Sequence, residues 1–155
     1  GPWSSALLQQ SGLPAAPLDL VRGSHLLLPA ISRYGHMLEV PGERRIVFAL
    51  PYQQQCLLGT TEVRQQLDEP VQCSPAERDY LLDVYAHYFT PAVAPAQLLG
   101  SFAGVRPLLA GSADASRASR EYQFHWQGNI LTVSGGKWTT ARALGQQLAA
   151  EVNRR

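Results

Sequence analysis

The sequence predicts a mixed α+β domain, built on a largely antiparallel sheet with flanking helices and a terminal strand-to-helix unit. Three observations carry this. Short β-rich runs, "LVRGSHLLLPA", "GHMLEV", "RRIVFALP" and "QCLLGTT", are separated by Gly, Pro and polar turns, as antiparallel strands are. A helix with a full set of N-terminal signals follows them. Near the end, "ILTVS" breaks at two glycines and turns at once into the helical stretch "KWTTARALGQQLAAEV".

Each element has its reason. The opening "PWSSALLQQSG" reads as a short helix closed by Gly12, with Pro14 and Pro17 ending it. The runs "HLLLP" and "IVFAL" do not alternate cleanly, so both faces of the sheet are expected to be covered. "VRQQLDEPVQ" reads as a polar surface loop. Over residues 75–89, Ser74 can cap, Pro75 suits the first helical position, and Glu77 completes a capping box. Leu81, Val84, Tyr85 and Tyr88 then fall on one stripe. "QLLGSFAGVRPLL" is a long strand and "AGSADASRAS" a mobile small-residue loop. "REYQFHW" resumes a strand, "QGN" turns, and "ILTVS" is a last buried strand. The final helix, 139–153, would bury Ala141, Leu144, Leu148 and Val152. Residues 13–126 form the sheet region and 127–153 the terminal strand and helix, within one domain.

Bulk properties exclude several classes. At 155 residues the chain can bury a real core. A net charge of +1 gives no basic field for nucleic acid or an anionic membrane. No apolar run approaches the roughly 20 residues that span a bilayer, and the start lacks the parts of a signal peptide. Cys56 and Cys73 make neither a metal set nor a disulfide framework, so a reducing compartment is the default, with a single Cys56–Cys73 bridge left open. His36, His87 and His125 have no metal-like spacing, and no metal is assigned. No nucleophile-elbow sequence is present.

Three constellations carry chemistry. "SGGKWTT" is too short for a phosphate-binding loop, and its lysine is followed by Trp138. What remains is a helix start with free N–H groups and partial positive charge. Gly135 and Gly136 allow close approach to the backbone, and Lys137 adds a cation. That suits an electron-rich edge that becomes anionic, such as the pyrimidine side of a reduced flavin. The alternative is an ordinary turn with Thr139 or Thr140 as N-cap. Arg106 shares strand parity with Leu98, Phe102 and Leu108, and Arg120 with Tyr122, Phe124 and Trp126. Two arginines on the apolar face suggest an anion between them; internal carboxylate partners, or a bulge at Gly104 or Pro107, are the alternatives. His25 opens an apolar strand, a place more often held by a hydrogen-bonded core histidine than by a catalyst.

In order along the chain, "GSHLLLP", "RIVFALPYQQQCLLGTTE", "AERDYLLDVYAHYF", "SFAGVRPLL", "SREYQF" and "SGGKWTTARAL" resemble FAD-dependent glycerol-3-phosphate dehydrogenases. "GVRPL" and "GGKWTT" are the most specific pieces. The resemblance implies a glycine-oxidase-like flavoprotein, in which an antiparallel substrate-binding sheet sits beside a Rossmann-type FAD domain whose terminal strand and helix would be 127–153. It implies oxidation of sn-glycerol 3-phosphate to dihydroxyacetone phosphate, with electrons passing through FAD to a quinone. Arg106 and Arg120 match substrate-binding arginines. His25 matches a histidine near the reacting carbon that could take the hydroxyl proton. Lys137 matches an active-site lysine, and Gly135, Gly136, Thr139 and Thr140 lie where the family meets the flavin. A cytoplasmic location, peripheral on the inner membrane, follows from the same resemblance.

Two departures stand out. Glu62 replaces the family's common Asp after "GTT", and the G-x-G-x-x-G nucleotide-binding segment is absent. The chain is therefore expected to be a piece of a longer enzyme, inactive by itself, with apolar surface where another domain docks. Competing expectations are an amino acid or N-methyl amine oxidase of the same fold, which needs one carboxylate-clamping arginine, and a non-catalytic anion-binding module.

Overall fold

The α+β class is realised in the computed structural model, which describes residues 1–15, 17–29, 33–110 and 122–154. Its elements are α1 (Ser4–Gln10), β1 (Leu18–Pro29), β2 (His36–Glu39), β3 (Ile46–Tyr52), β4 (Gln55–Gly59), β5 (Val63–Arg64), α2 (Pro75–Tyr88), β6 (Gly100–Leu109), β7 (Gln123–Gln127), β8 (Ile130–Ser134) and α3 (Ala141–Asn153). One sheet runs β2-β3-β4-β1-β5, with β6 also paired to β1; β7 and β8 form a separate hairpin. The β1–β4, β2–β3, β3–β4 and β7–β8 pairs are all antiparallel. The chain divides into two units, Gly1–Val21 with Arg106–Arg155, and Arg22–Val105.

In the second unit, α2 forms where the sequence places it. Ser74 Oγ accepts from the Glu77 N–H at 3.3 Å, and the Ser74 N–H donates to Glu77 Oε2 at 3.0 Å, closing the capping box. Leu81, Leu82, Val84 and Tyr85 pack against Leu26, Leu28, Val47, Ala49 and Leu58 of the sheet. Tyr88, expected on the same stripe, is instead exposed in the last turn, where its hydroxyl donates to the Glu39 carbonyl.

Both sheet faces were expected to be covered; among the described residues of this unit, a helix covers one. In β3, Val47 and Ala49 are buried beneath α2, while Ile46, Phe48 and Leu50 are about 40% exposed. Met37 beside them is 67% exposed. Apolar residues at both parities do make both faces apolar, but within this unit only one face has a helix to meet. The stretch expected to be a polar surface loop also differs in part. It contributes the short β5, and Gln65 is buried because Arg22 Nη1 donates to its Oε1 at 2.9 Å.

Glu77 does more than cap. Its Oε1 accepts from the Ser24 and Thr61 hydroxyls at 2.7 Å each, and Oε2 lies 2.8 Å from Arg22 Nη2. Burial alone would raise its carboxyl, but the hydrogen bonds from Thr61, Arg22, Ser24 and the Ser74 backbone outweigh that and hold the pKa at about 2. Glu62, the departure after "GTT", has its carboxylate 3.5 Å from Arg45 Nε. Cys56 and Cys73 are free thiols, and burial pushes Cys56 up to about 11.

The first unit is more thinly covered. Leu8, Val21 and Leu108 are buried. The strand "ILTVS", expected to be buried, is only half-buried, since β7 is its one strand partner among the described residues. The final helix starts at Ala141, after a 3-10 turn at Trp138–Thr140, rather than at residue 139. No residue of α3 is fully buried: Leu144 and Leu148 are half-covered, while Ala141 and Val152 are exposed. The hairpin reaches one side of α3, where Trp126 Nε1 donates to Glu151 Oε1 at 3.1 Å. The loop expected to be mobile, "AGSADASRAS", lies almost wholly outside the described residues.

Candidate functional site

In the first unit, β8 delivers the chain into Gly135 and Gly136, with φ of +80° and +90°. These left-handed values suit glycine, and a Cβ on Gly136 would also stand 3.4 Å from Leu144 Cδ2. The turn then holds itself together. Thr140 Oγ1 accepts from the Lys137 N–H at 3.3 Å and donates to the Lys137 carbonyl at 3.1 Å. Thr140 holds the N-cap position of α3 but makes no side-chain capping bond to it. Lys137, Thr139 and Thr140 are exposed, and Trp138 is 94% exposed. The outcome is a projecting turn with main chain unshielded by side chains, a lysine cation and the positive end of a helix. Such a set fits a flat, electron-rich ring that gains negative charge, as the flavin of FAD does.

Arg106 lies half-buried on β6, which runs unbroken through Gly104 and Pro107. Its neighbour Pro107 and the turn's Gly135 line one small cavity of ≈ 90 Å³, together with Leu18 and Val133. Pro107 and the glycine turn thus meet in this unit, while Arg106 itself is not among the residues that line the cavity. Arg120 lies outside the described residues.

His25 belongs to the second unit. It stands on β1 directly across from Gly59 of β4, and Gly59 in turn is across from Phe48, itself across from Met37. Cross-strand partners share a face, so His25 lies on the open side of the sheet, opposite to α2. It is half-buried and not a core histidine. Its ring stacks on Phe102, with centroids 5.0 Å apart and planes 12° from parallel.

Five expected residues, Gly135, Gly136, Lys137, Thr139 and Thr140, therefore share one turn, Arg106 lies on a strand beside it, and His25 occupies the sheet of the other unit. Sequence reasoning missed Gly59 and Phe102 as neighbours of His25. Strand register would have been needed to find them, and spacing alone does not give it.

The family model described as FAD dependent oxidoreductase matches residues 1–151. A glycerol-3-phosphate dehydrogenase of Pseudomonas aeruginosa is 36% identical over 98% of the chain and 32% of its own length. D-erythritol 1-phosphate dehydrogenase of Brucella abortus is 31% identical over 95% of the chain and 31% of its own length. The chain spans about a third of the length of the curated relatives it matches. In fold, the chain is similar to a crystal structure of the glycerol-3-phosphate dehydrogenase from Bacillus halodurans complexed with FAD. The TM-score is 0.79 at 24% identity, over 99% of this chain and 30% of that one.

Proposed function

Because the chain belongs to the FAD-dependent oxidoreductase family, we propose that it forms the substrate-facing part of an enzyme that oxidises sn-glycerol 3-phosphate at C2 to dihydroxyacetone phosphate. The observation that carries this is the similarity to the P. aeruginosa enzyme, which extends over 98% of the chain and so takes in the segments of His25, Arg106 and Lys137 together.

Arg106, with Arg120, binds the phosphate dianion, for which the planar guanidinium fork is suited. Imidazole nitrogen of His25 takes the C2 hydroxyl proton as the carbon is oxidised. The Lys137 ammonium and the α3 start favour negative charge at the edge of the cofactor, while Gly135 and Gly136 let that edge reach the main chain. When bound, FAD supplies the hydride acceptor. A quinone as final acceptor and peripheral attachment to the inner membrane complete the proposal; both rest on the resemblance. Among the described residues no helix is long and apolar enough to cross a membrane.

A second substrate is favoured by one observation, the 31% identity to D-erythritol 1-phosphate dehydrogenase. Both substrates present a phosphate to the same arginines and differ in the length of the polyol. Flavin absorbance of the full-length protein, recorded with each compound, decides. Bleaching by glycerol 3-phosphate is expected. Bleaching by the erythritol ester alone moves the substrate, and bleaching by sarcosine alone overturns the phosphate-binding role.

A further inference from the structure

We propose that Gly59 and Phe102 are positioning residues that fix the plane of the His25 imidazole on the open face of the sheet. The inference rests on His25 as the proton acceptor of the proposed reaction. A histidine base works only when its nitrogen comes within about 2.6–3.2 Å of the proton it takes, so ring orientation governs its efficiency.

No left-handed φ accounts for the glycine at position 59. It is the last residue of β4, directly across from His25 of β1. The contact it avoids is with one residue. A Cβ there would lie 2.3 Å from Cδ2, 2.8 Å from Cγ and 3.0 Å from Nε2 of His25, and these are its three nearest atoms. The missing side chain is the space that the imidazole edge occupies. Phe102 comes from β6, a different strand paired with β1, and covers a face of the same ring at 5.0 Å and 12°. Core packing does not account for Phe102, which is 48% exposed. An aromatic side chain left in water yet stacked parallel on a histidine restricts the rotation of that histidine. Edge room on one strand and a face cover from another leave the ring one orientation.

Two readouts independent of turnover test this. In the full chain, Gly59→Ala lowers Tm, whereas adding it to His25→Ala costs nothing further, because the ring it meets is gone. Equal losses in both backgrounds overturn the proposal; if Gly59→Ala alone fails to fold, recovery of folding in the double variant counts as support. By NMR, the His25 ring protons are shifted upfield by Phe102; Phe102→Leu removes the shift and Phe102→Tyr restores it. An unaltered shift in Phe102→Leu overturns the stack.

In the full-length enzyme, Phe102→Leu lowers kcat about tenfold at constant KM and moves the pH profile, and Phe102→Tyr recovers both. Loss of turnover in His25→Asn with none of these Phe102 and Gly59 effects refutes the positioning pair and spares the base. Full turnover in His25→Asn alongside the stability and NMR effects refutes the base and spares the pair.

Discussion

Glu77 spends both carboxylate oxygens on donors from three elements: Ser24 and Arg22 of β1, Thr61 after β4, and Ser74 at the start of α2. Its folded pKa of about 2 lies below the ordinary value of 4.5, so the stabilisation is fully present above 4.5 and is lost as pH falls from there toward 2. That difference is worth on the order of 3 kcal/mol. Unfolding free energy measured between neutral pH and pH 2 should fall along this limb. Glu77→Gln should flatten the limb and cost about 3–5 kcal/mol at neutral pH, since it leaves the Arg22 cation buried without its counter-charge. At the proposed site, Arg106→Ala in the full-length enzyme should raise KM for glycerol phosphate by about 10–100-fold, the worth of a charge-assisted contact of about 1.5–3 kcal/mol. Lys137→Ala should lower turnover or flavin occupancy, checked by absorbance per mole of protein.

Local signals wrote some elements and not others. α2 was legible because its capping box, proline and stripe lie within a few residues of one another. α3 was legible as a helix but not in its start, because Thr140 bonds back to Lys137 and tightens the entry into a 3-10 turn. The β3–β4 hairpin turns through Gln53 and Gln54, both with positive φ (46° and 63°), where asparagine and glycine are the favoured pair. Gln54→Gly should therefore raise stability by about 1 kcal/mol, read as a higher denaturant midpoint. Removing the cap with Ser74→Ala should cost about 1 kcal/mol or more, since the same hydroxyl also donates to Glu77 at 2.8 Å.

Among the described residues of the second unit, one sheet face lies under α2 and the other presents partly exposed apolar side chains. That sidedness predicts opposite outcomes at adjacent residues. Val47→Ala should cost about 1–3 kcal/mol through the space left in the core. Phe48→Thr should stay within about 0.5 kcal/mol and reduce binding of a hydrophobic dye, as expected of an exposed position. Hydrophobic pattern revealed that both faces are apolar; it could not reveal that, among the described residues of this unit, only one meets a helix, because that depends on how the elements pack. The site divides the same way. The glycine–lysine turn is contiguous and was readable as such, whereas the surroundings of His25 arise from residues 34 and 77 positions downstream, Gly59 and Phe102, joined only by strand register.

Trp138, almost wholly in water next to Lys137, turns that corner of the protein into its own optical reporter. Trp126 is half-buried against α3, whereas Trp3 is 68% exposed. With Trp3 replaced by Phe, red-edge fluorescence and easy quenching by iodide should come largely from Trp138. Any molecule that settles over the glycines should shift that emission to the blue and shield it, giving a titration that needs neither label nor turnover.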